Sequence, residues 1–176
     1  MEDLSMVFQY KVTSEEDDNF IRIYEIDEYT TLKDFHALIC QDLDYDDYEM
    51  ASFFVSDENW HKYQEYTLED MGLEPLSEED VAPQTMEKAT VSKLLIEGCS
   101  NLLFVFDIYQ DRAFFVKYHG MKEAEKNESY PRVMFAHGEA PDQFDADATT
   151  GNSSIFDEAM DDWGDFDGND DYYDED

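Results

Sequence analysis

"MVFQYKVTSEEDDNFIRIYEIDEYTTLKDFHALICQDL" (residues 6–43) holds two hydrophobic periods, and the switch between them sets the fold class. "MVFQYKVT" (6–13) alternates, with Met6, Phe8, Tyr10 and Val12 on one face, and "NFIRIYEI" (19–26) reads as a second strand. The acidic "SEEDD" between them suits a hairpin loop. From Thr30 the period becomes helical. Thr31 is placed to cap, Asp34 follows at capping-box spacing, and Leu32, Phe35, Leu38 and Ile39 then line one side of a helix over 30–43. The opening is therefore strand–strand–helix.

Working outward, "MASFFVS" (50–56) predicts a third strand. Glu65 to Lys88 is acidic, contains Gly72, Pro75 and Pro83, and reads mostly as loop with a short turn at "TLEDMG". "TVSKLLIEG" (90–98) predicts a short helix capped by Thr90 and stopped at Gly98. "NLLFVFDIY" (101–109) and "RAFFVKYH" (112–119) form a hairpin across Gln110 and Asp111. A charged helical turn is expected at "MKEAEK" (121–126), and "YPRVMFAHG" (130–138) closes the body. The order implies a single α+β domain over residues 1–144, with a mostly antiparallel sheet and helices on one face. Residues 145–176 form an acidic, aromatic-containing C-terminal arm.

Charge separates the same two parts. Residues 1–138 hold all 11 basic residues and 31 acidic ones, whereas 139–176 hold 15 acids and no base. Polyanion binding needs clustered Lys and Arg to displace counterions, so a body at −20 with three scattered arginines (Arg22, Arg112, Arg132) is unsuited to direct nucleic-acid or anionic-lipid binding. A protein partner, favourably a basic one, fits better; adaptation to high salt would give the same acidity. No basic patch is evident in the linear sequence. Cys40 and Cys99 stand alone in apolar stretches and read as buried free thiols. The N-terminus has no basic region followed by an apolar run, and no stretch is long enough to span a membrane, so a cytoplasmic location is expected.

Three blocks carry a family resemblance. "TLKDFHALI" and "LDYDDYEMASF" occupy the places of a TL-x-D-L/F-H helix and an acidic W/Y-D-D turn. "TVSKLLIEGCSNLLFVFDIYQDR" is similar to an L-x-D-L-L…Y-x-Y-D-F-G-D-x-W region, and "YPRVMFAHGEAPDQF" to a Y-P…G-x-G-x-x-P-P-E-D segment. Together, over about residues 6–144, they resemble the plasmid pRi ORF-three-like family, also labelled insertion-element passenger TnpR proteins. The resemblance implies an α+β domain of uncharacterised function. Its polar motif maps here to Asp107, Asp111, Pro141 and Asp142 as a degenerate family site, since "DIYQDRAFF" lacks the glycine, Trp and His of the pattern. The resolvase label conflicts with the residues, because serine-recombinase chemistry needs several active-site arginines and a basic DNA surface.

Motifs for chemistry are sparse. His36 reads as a helix residue beside apolar positions and His61 in "NWHKY" as part of a surface turn; His119 and His137 end strand-like runs. "DLDYDDYE" (42–49) is a solvated acidic turn whose Asp44, Asp46, Asp47 and Glu49 have the oxygen chemistry for a hard cation. No catalytic triad spacing, Walker loop or dinucleotide fingerprint is present. The expectation is no catalytic residues, no metal site and no cofactor.

The arm begins as a linker (139–152), then "SSIFDEAMDDWG" shows a helix signature near 154–163, with Ser154 as N-cap and Gly164 as stop. Ile155, Phe156, Met160 and Trp163 make its apolar stripe and are the expected partner-binding residues. Ten residues do not hold a helix alone in water, so the stripe would order on burial, against its own body or a partner. A calcium-loop register over "DFDGNDDYYD" puts Trp163 at the first ligand position and fails. If extended, residues 155–176 carry about one charge per 6.6 Å against ~1.7 Å for duplex DNA, so the arm alone is a poor mimic. The sequence thus points to a non-enzymatic interaction protein. An acidic nucleic-acid mimic is the alternative, and a degenerate enzyme or metal protein using Asp107, Asp111 and the histidines the second alternative.

Overall fold

A computed structural model describes residues 5–70, 72 and 81–144. The chain divides into two units, Met1–Gln143 and Phe144–Asp176. The predicted helix near 154–163, with Ile155, Phe156, Met160 and Trp163, lies outside the described residues.

The opening folds as the periods dictate. β1 (Met6–Ser14) and β2 (Ile21–Asp27) pair antiparallel, and α1 (Leu32–Leu43) follows. Both halves of the capping box form: the Asp34 amide donates to Thr31 Oγ1 at 3.0 Å, and the Thr31 amide to Asp34 Oδ2 at 3.2 Å. Asp44 ends the helix in the left-handed conformation, and the Tyr45 amide donates to Cys40 O.

β3 (Ser52–Ser56) and β4 (Lys62–Thr67) form the next hairpin. Two-residue β5 (Gln84–Thr85) leads through a 3-10 turn (Met86–Lys88) to α2 (Val91–Ile96). β6 (Asn101–Asp107), β7 (Arg112–Glu123) and β8 (Arg132–His137) complete one eight-stranded sheet in the order β5-β4-β3-β6-β7-β1-β2-β8. All described pairings are antiparallel except β4 with β5. The fold is α+β.

Three local expectations are corrected. The segment expected to be loop, 65–88, contributes the end of β4 and all of β5, because Tyr66 and fully buried Met86 anchor it to the core despite its acidity. The β6–β7 connection is Ile108–Asp111, longer than the expected two residues. Asp107 Oδ1 accepts the amides of both Tyr109 and Gln110, which ends the strand early, and Asp111 takes φ +55°. The helical turn expected at 121–126 is instead strand as far as Glu123, held by β1 through Met6↔Glu123 and Val7↔Lys122. Tertiary pairing overrides local helix propensity there.

The core lies on one sheet face. Phe53, Phe104, Phe114, Tyr10, Val12 and Tyr24 from the strands meet Leu32, Phe35 and Ile39 of α1, Val91 and Leu94 of α2, and Met86. Phe35 stacks on Phe53 at 5.7 Å between ring centroids, and Phe53 meets Phe104 at 4.9 Å. The two helix starts are tied together: the Leu32 amide donates to Ala89 O, the Val91 amide to Thr30 O, and Ser92 Oγ to Glu28 O.

Candidate functional site

The residues of the degenerate family pattern are arranged by Arg112, which is 3% exposed. Its Nε and Nη2 donate to the two carboxylate oxygens of Glu16 at 3.1 and 3.0 Å, a bidentate pair. Nη1 lies 3.5 Å from Asp107 Oδ2 and donates to Gln143 O at 3.0 Å, while Nη2 also donates to Asp142 O at 2.8 Å. The guanidinium stacks over Phe106 at 4.8 Å. Burial opposes its charge, but Glu16 and Asp107 outweigh that and raise its pKa. Pro141 joins the arrangement through its carbonyl, which accepts from Tyr45 Oη. Asp107, Pro141 and Asp142 are thus gathered, the last two by main-chain carbonyls. Asp111 is not; it lies on the surface and pairs with Lys62. What the arrangement does is fasten residues 141–143 to β6, β7 and the β1–β2 hairpin.

The other two arginines are spent in the same way. Arg22 donates from Nε to Asp42 at 2.9 Å and from Nη1 to the carbonyls of His137 and Gly138. Arg132 binds Glu25 at 2.8 Å, and Lys122 holds the other oxygen of that carboxylate at 2.9 Å. Glu25 is fully buried; desolvation pushes its pKa up, but Gln9, Lys122 and Arg132 more than offset this and leave it lowered. Arg22 and Arg112 are buried, and Arg132, partly exposed, is held by Glu25, Glu125 and Glu128.

The histidines do not converge. His36 is buried on α1 with Nε2 3.5 Å from Cys40 Sγ and its ring edge-on to Phe104. Burial pushes the His36 imidazole down to about 4 and the Cys40 thiol up to about 12, so both stay neutral near pH 7. Cys99 is half-buried rather than buried, and both thiols are free. His61 is exposed, its Nδ1 2.9 Å from Asp57 Oδ2 in the β3–β4 turn. That turn holds the Asp57 carboxyl low, at about 2, chiefly through the backbone amide and side chain of His61. Among the described residues no three His, Cys, Asp or Glu side chains are placed to hold a metal ion. In the acidic turn, Tyr45 is buried, and Gln143 exchanges hydrogen bonds with the Asp46 backbone, accepting at 2.7 Å and donating at 3.1 Å. The turn is part of the body's closure.

A groove of about 290 Å³ opens beside this turn, lined by Tyr48, Met50, Ala51, Leu68 and Ile108 with Ser52, Glu65, Thr67 and Glu69. Its apolar wall includes Tyr48 and Met50, 77% and 44% exposed. Glu65 accepts from Ser52 Oγ at 2.7 Å, which fixes one carboxylate at the edge. The sequence singled out none of these as a site. The weak signal was an exposed aromatic and methionine in "DDYEMAS", read only as a turn entering a strand.

A mostly antiparallel sheet with helices on a single face, tied by arginine–carboxylate clamps, defines an α+β protein. The chain belongs to the family described as plasmid pRiA4b ORF-3-like protein, whose model matches residues 6–170. That match continues past the body into the arm, further than the motif blocks reach. The fold is similar to the crystal structure of a protein of unknown function, MM3350, from Methanosarcina mazei Go1. The TM-score is 0.60 at 16% identity, covering 76% of this chain and 70% of that one. No curated protein matches the sequence. Among the described residues no helix is long and apolar enough to cross a membrane.

Proposed function

We propose that this chain is a non-enzymatic protein-binding module acting in the cytoplasm on a basic partner. The observation that carries the reading is the groove at Tyr48, Met50, Leu68 and Ile108, bordered by Glu65 and Glu69 and lined by no lysine or arginine. A lysine or arginine from a partner suits it: the methylene stem lies on the apolar wall while the cationic head meets the carboxylates. Exposed Tyr48 offers a ring face to the same cation. With Arg22 and Arg112 buried, Arg132 held by carboxylates and a chain charge of −35, the long-range field attracts basic proteins and repels polyanions. The arm adds a second contact in this proposal, through Ile155, Phe156, Met160 and Trp163 among carboxylates. The order of the family motifs supports, on the same footing, a passenger role on an insertion element.

Affinity capture tests it, using the full chain, a chain ending at residue 144 and a Glu65→Lys/Glu69→Lys variant at low and high salt. Loss of a captured basic protein in either altered chain, reproduced with that protein purified, supports the reading. Capture unaffected by both changes sinks it. DNA competing for the captured protein would move the assignment to the acidic mimic, and a stoichiometric ion in purified protein to a metal role.

A further inference from the structure

The helices cover one face of the sheet, and strand register defines what the other face presents. One row runs Lys62–Ser56–Asn101–Lys117–Lys11–Ile23–Phe135 across β4, β3, β6, β7, β1, β2 and β8. The next row on that face runs Glu65–Phe54–Leu103–Phe115–Thr13–Ile21–His137. Trp60 folds over part of it, its ring 4.7 Å from that of Phe115, and Leu103, Asn101 and Ser56 in the middle of the rows are buried. Phe54, Phe115, Ile21 and Ile23 are half-buried and Phe135 is 46% exposed.

The charge of these two rows is opposite to that of the chain. The two rows contain three lysines and one carboxylate, Glu65, in a protein with 46 acidic residues and 11 basic ones. Lys62 lies over the Phe54 ring at 4.9 Å and pairs with Asp111. Lys11 and Lys117 are direct cross-strand partners, and neither makes an ion pair with a described residue. Like charges directly opposed across a strand pair are destabilising. Carboxylates abound elsewhere in the chain, yet none among the described residues neutralises this pair.

We propose that the sheet face opposite the helices docks an acidic peptide segment of a partner chain, with carboxylates on Lys11 and Lys117 and aromatic or aliphatic anchors over Phe115, Ile21, Ile23 and Phe135. Complementarity decides the class of ligand. Two lysines unpaired among the described residues match two carboxylates, and their cost of opposition is relieved when an anion bridges them. The same two lysines would displace only about two counterions from a polynucleotide, giving a salt slope near −2, too little to hold it against a chain at −35. The apolar row supplies the remaining affinity by burial, which a peptide with hydrophobic side chains uses and a phosphate backbone does not. Adjacent strands stand about 4.8 Å apart, so Phe54 and Phe115, two strands apart, present anchors ~10 Å from each other. This surface stands on residues other than the groove apart from Glu65 at its β4 end, so either reading can fail alone.

The test is fluorescence anisotropy of a labelled peptide with Asp and Phe or Trp in alternation, titrated with the full chain. A single-stranded oligonucleotide and the Asp→Asn version of the peptide serve as parallel probes. The acidic peptide is expected to bind with Kd of about 1–100 μM. The Lys11→Gln/Lys117→Gln variant should weaken it at least about tenfold. Lys88→Gln/Lys93→Gln, remote from the face, should leave it unchanged. The Lys88/Lys93 variant should melt with the wild type and the Lys11/Lys117 variant at or slightly above it, since none of these side chains closes an ion pair with a described residue and the second change removes the opposed charges. Absence of binding at ~1 mM peptide, equal affinity in the Lys11/Lys117 variant, or preference for the oligonucleotide would each overturn the proposal.

Discussion

His36 gives the most quantitative check on the packing. It is 3% exposed, faces Phe104 and Cys40, and its imidazole is pushed down to about 4, chiefly by burial, with Lys33 adding to the depression and Asp47 opposing it. In the unfolded chain the same ring titrates near its ordinary value of ~6.5. Between those values the unfolded state takes up a proton that the folded state refuses, so stability falls as pH falls. Linkage gives a loss of about 2 kcal/mol on going from pH 7.5 to pH 5 and about 3 kcal/mol by pH 4. The sequence pI of about 4.1 makes pH 5 the practical lower limit. The assay is urea unfolding by circular dichroism at half-unit intervals over that range, for wild type and His36→Gln. Carboxylates common to both proteins cancel in the difference, and Gln keeps an amide within reach of Cys40. The wild type should lose ~2 kcal/mol more than the variant over the range. Parallel pH profiles, within ~0.5 kcal/mol, would refute the claim that burial holds this ring neutral.

Arg112→Ala should cost about 3–5 kcal/mol, because it strands Glu16 and Asp107 and frees the carbonyls of Asp142 and Gln143; a urea midpoint within ~1 kcal/mol of wild type would show that the clamp is dispensable. Gly138 has φ +78°, and a Cβ there would lie 2.3 Å from Asn19 O, so Gly138→Ala should lower the melting temperature clearly while a surface change such as Asn127→Ala does not. With a thiol reagent at pH 8, Cys99 should label in the native protein and Cys40, buried and pushed up to about 12, only after denaturation. Native labelling of Cys40 at the same rate would contradict its burial.

Much of the fold was legible because local physics and tertiary context agree over residues 6–43. Thr31 and Asp34 cap the helix whose Leu32, Phe35 and Ile39 enter the core, and the alternation of Phe8, Tyr10 and Val12 places all three toward it. Agreement failed where context outvoted pattern. "KYQEYT" has weak alternation and charged neighbours, yet pairs with β3 because Tyr66 has a place in the core. "MKEAEK" has helix-forming residues but lies where β1 offers unpaired backbone groups. The family resemblance grouped Asp107 and Asp111 in one site. The Asx-type turn after Asp107 separates them, giving one to Arg112 and the other to Lys62.

The sequence by itself determined what is additive: the net charge, the acidic arm, the α+β element order, and the want of arginines for a phosphate surface. Those follow from composition and from periods of two and 3.6 residues, which need no partner to be read. Only the tertiary structure decided how the few cations are used. It buried Arg22 and Arg112 as internal clamps and bound Arg132 to buried Glu25. It also brought Lys11, Lys117 and Lys62, up to about a hundred residues apart in the chain, into one row on the sheet face opposite the helices. Register is a long-range property, set by which strands pair and where a bulge shifts them, and no local window of sequence contains it.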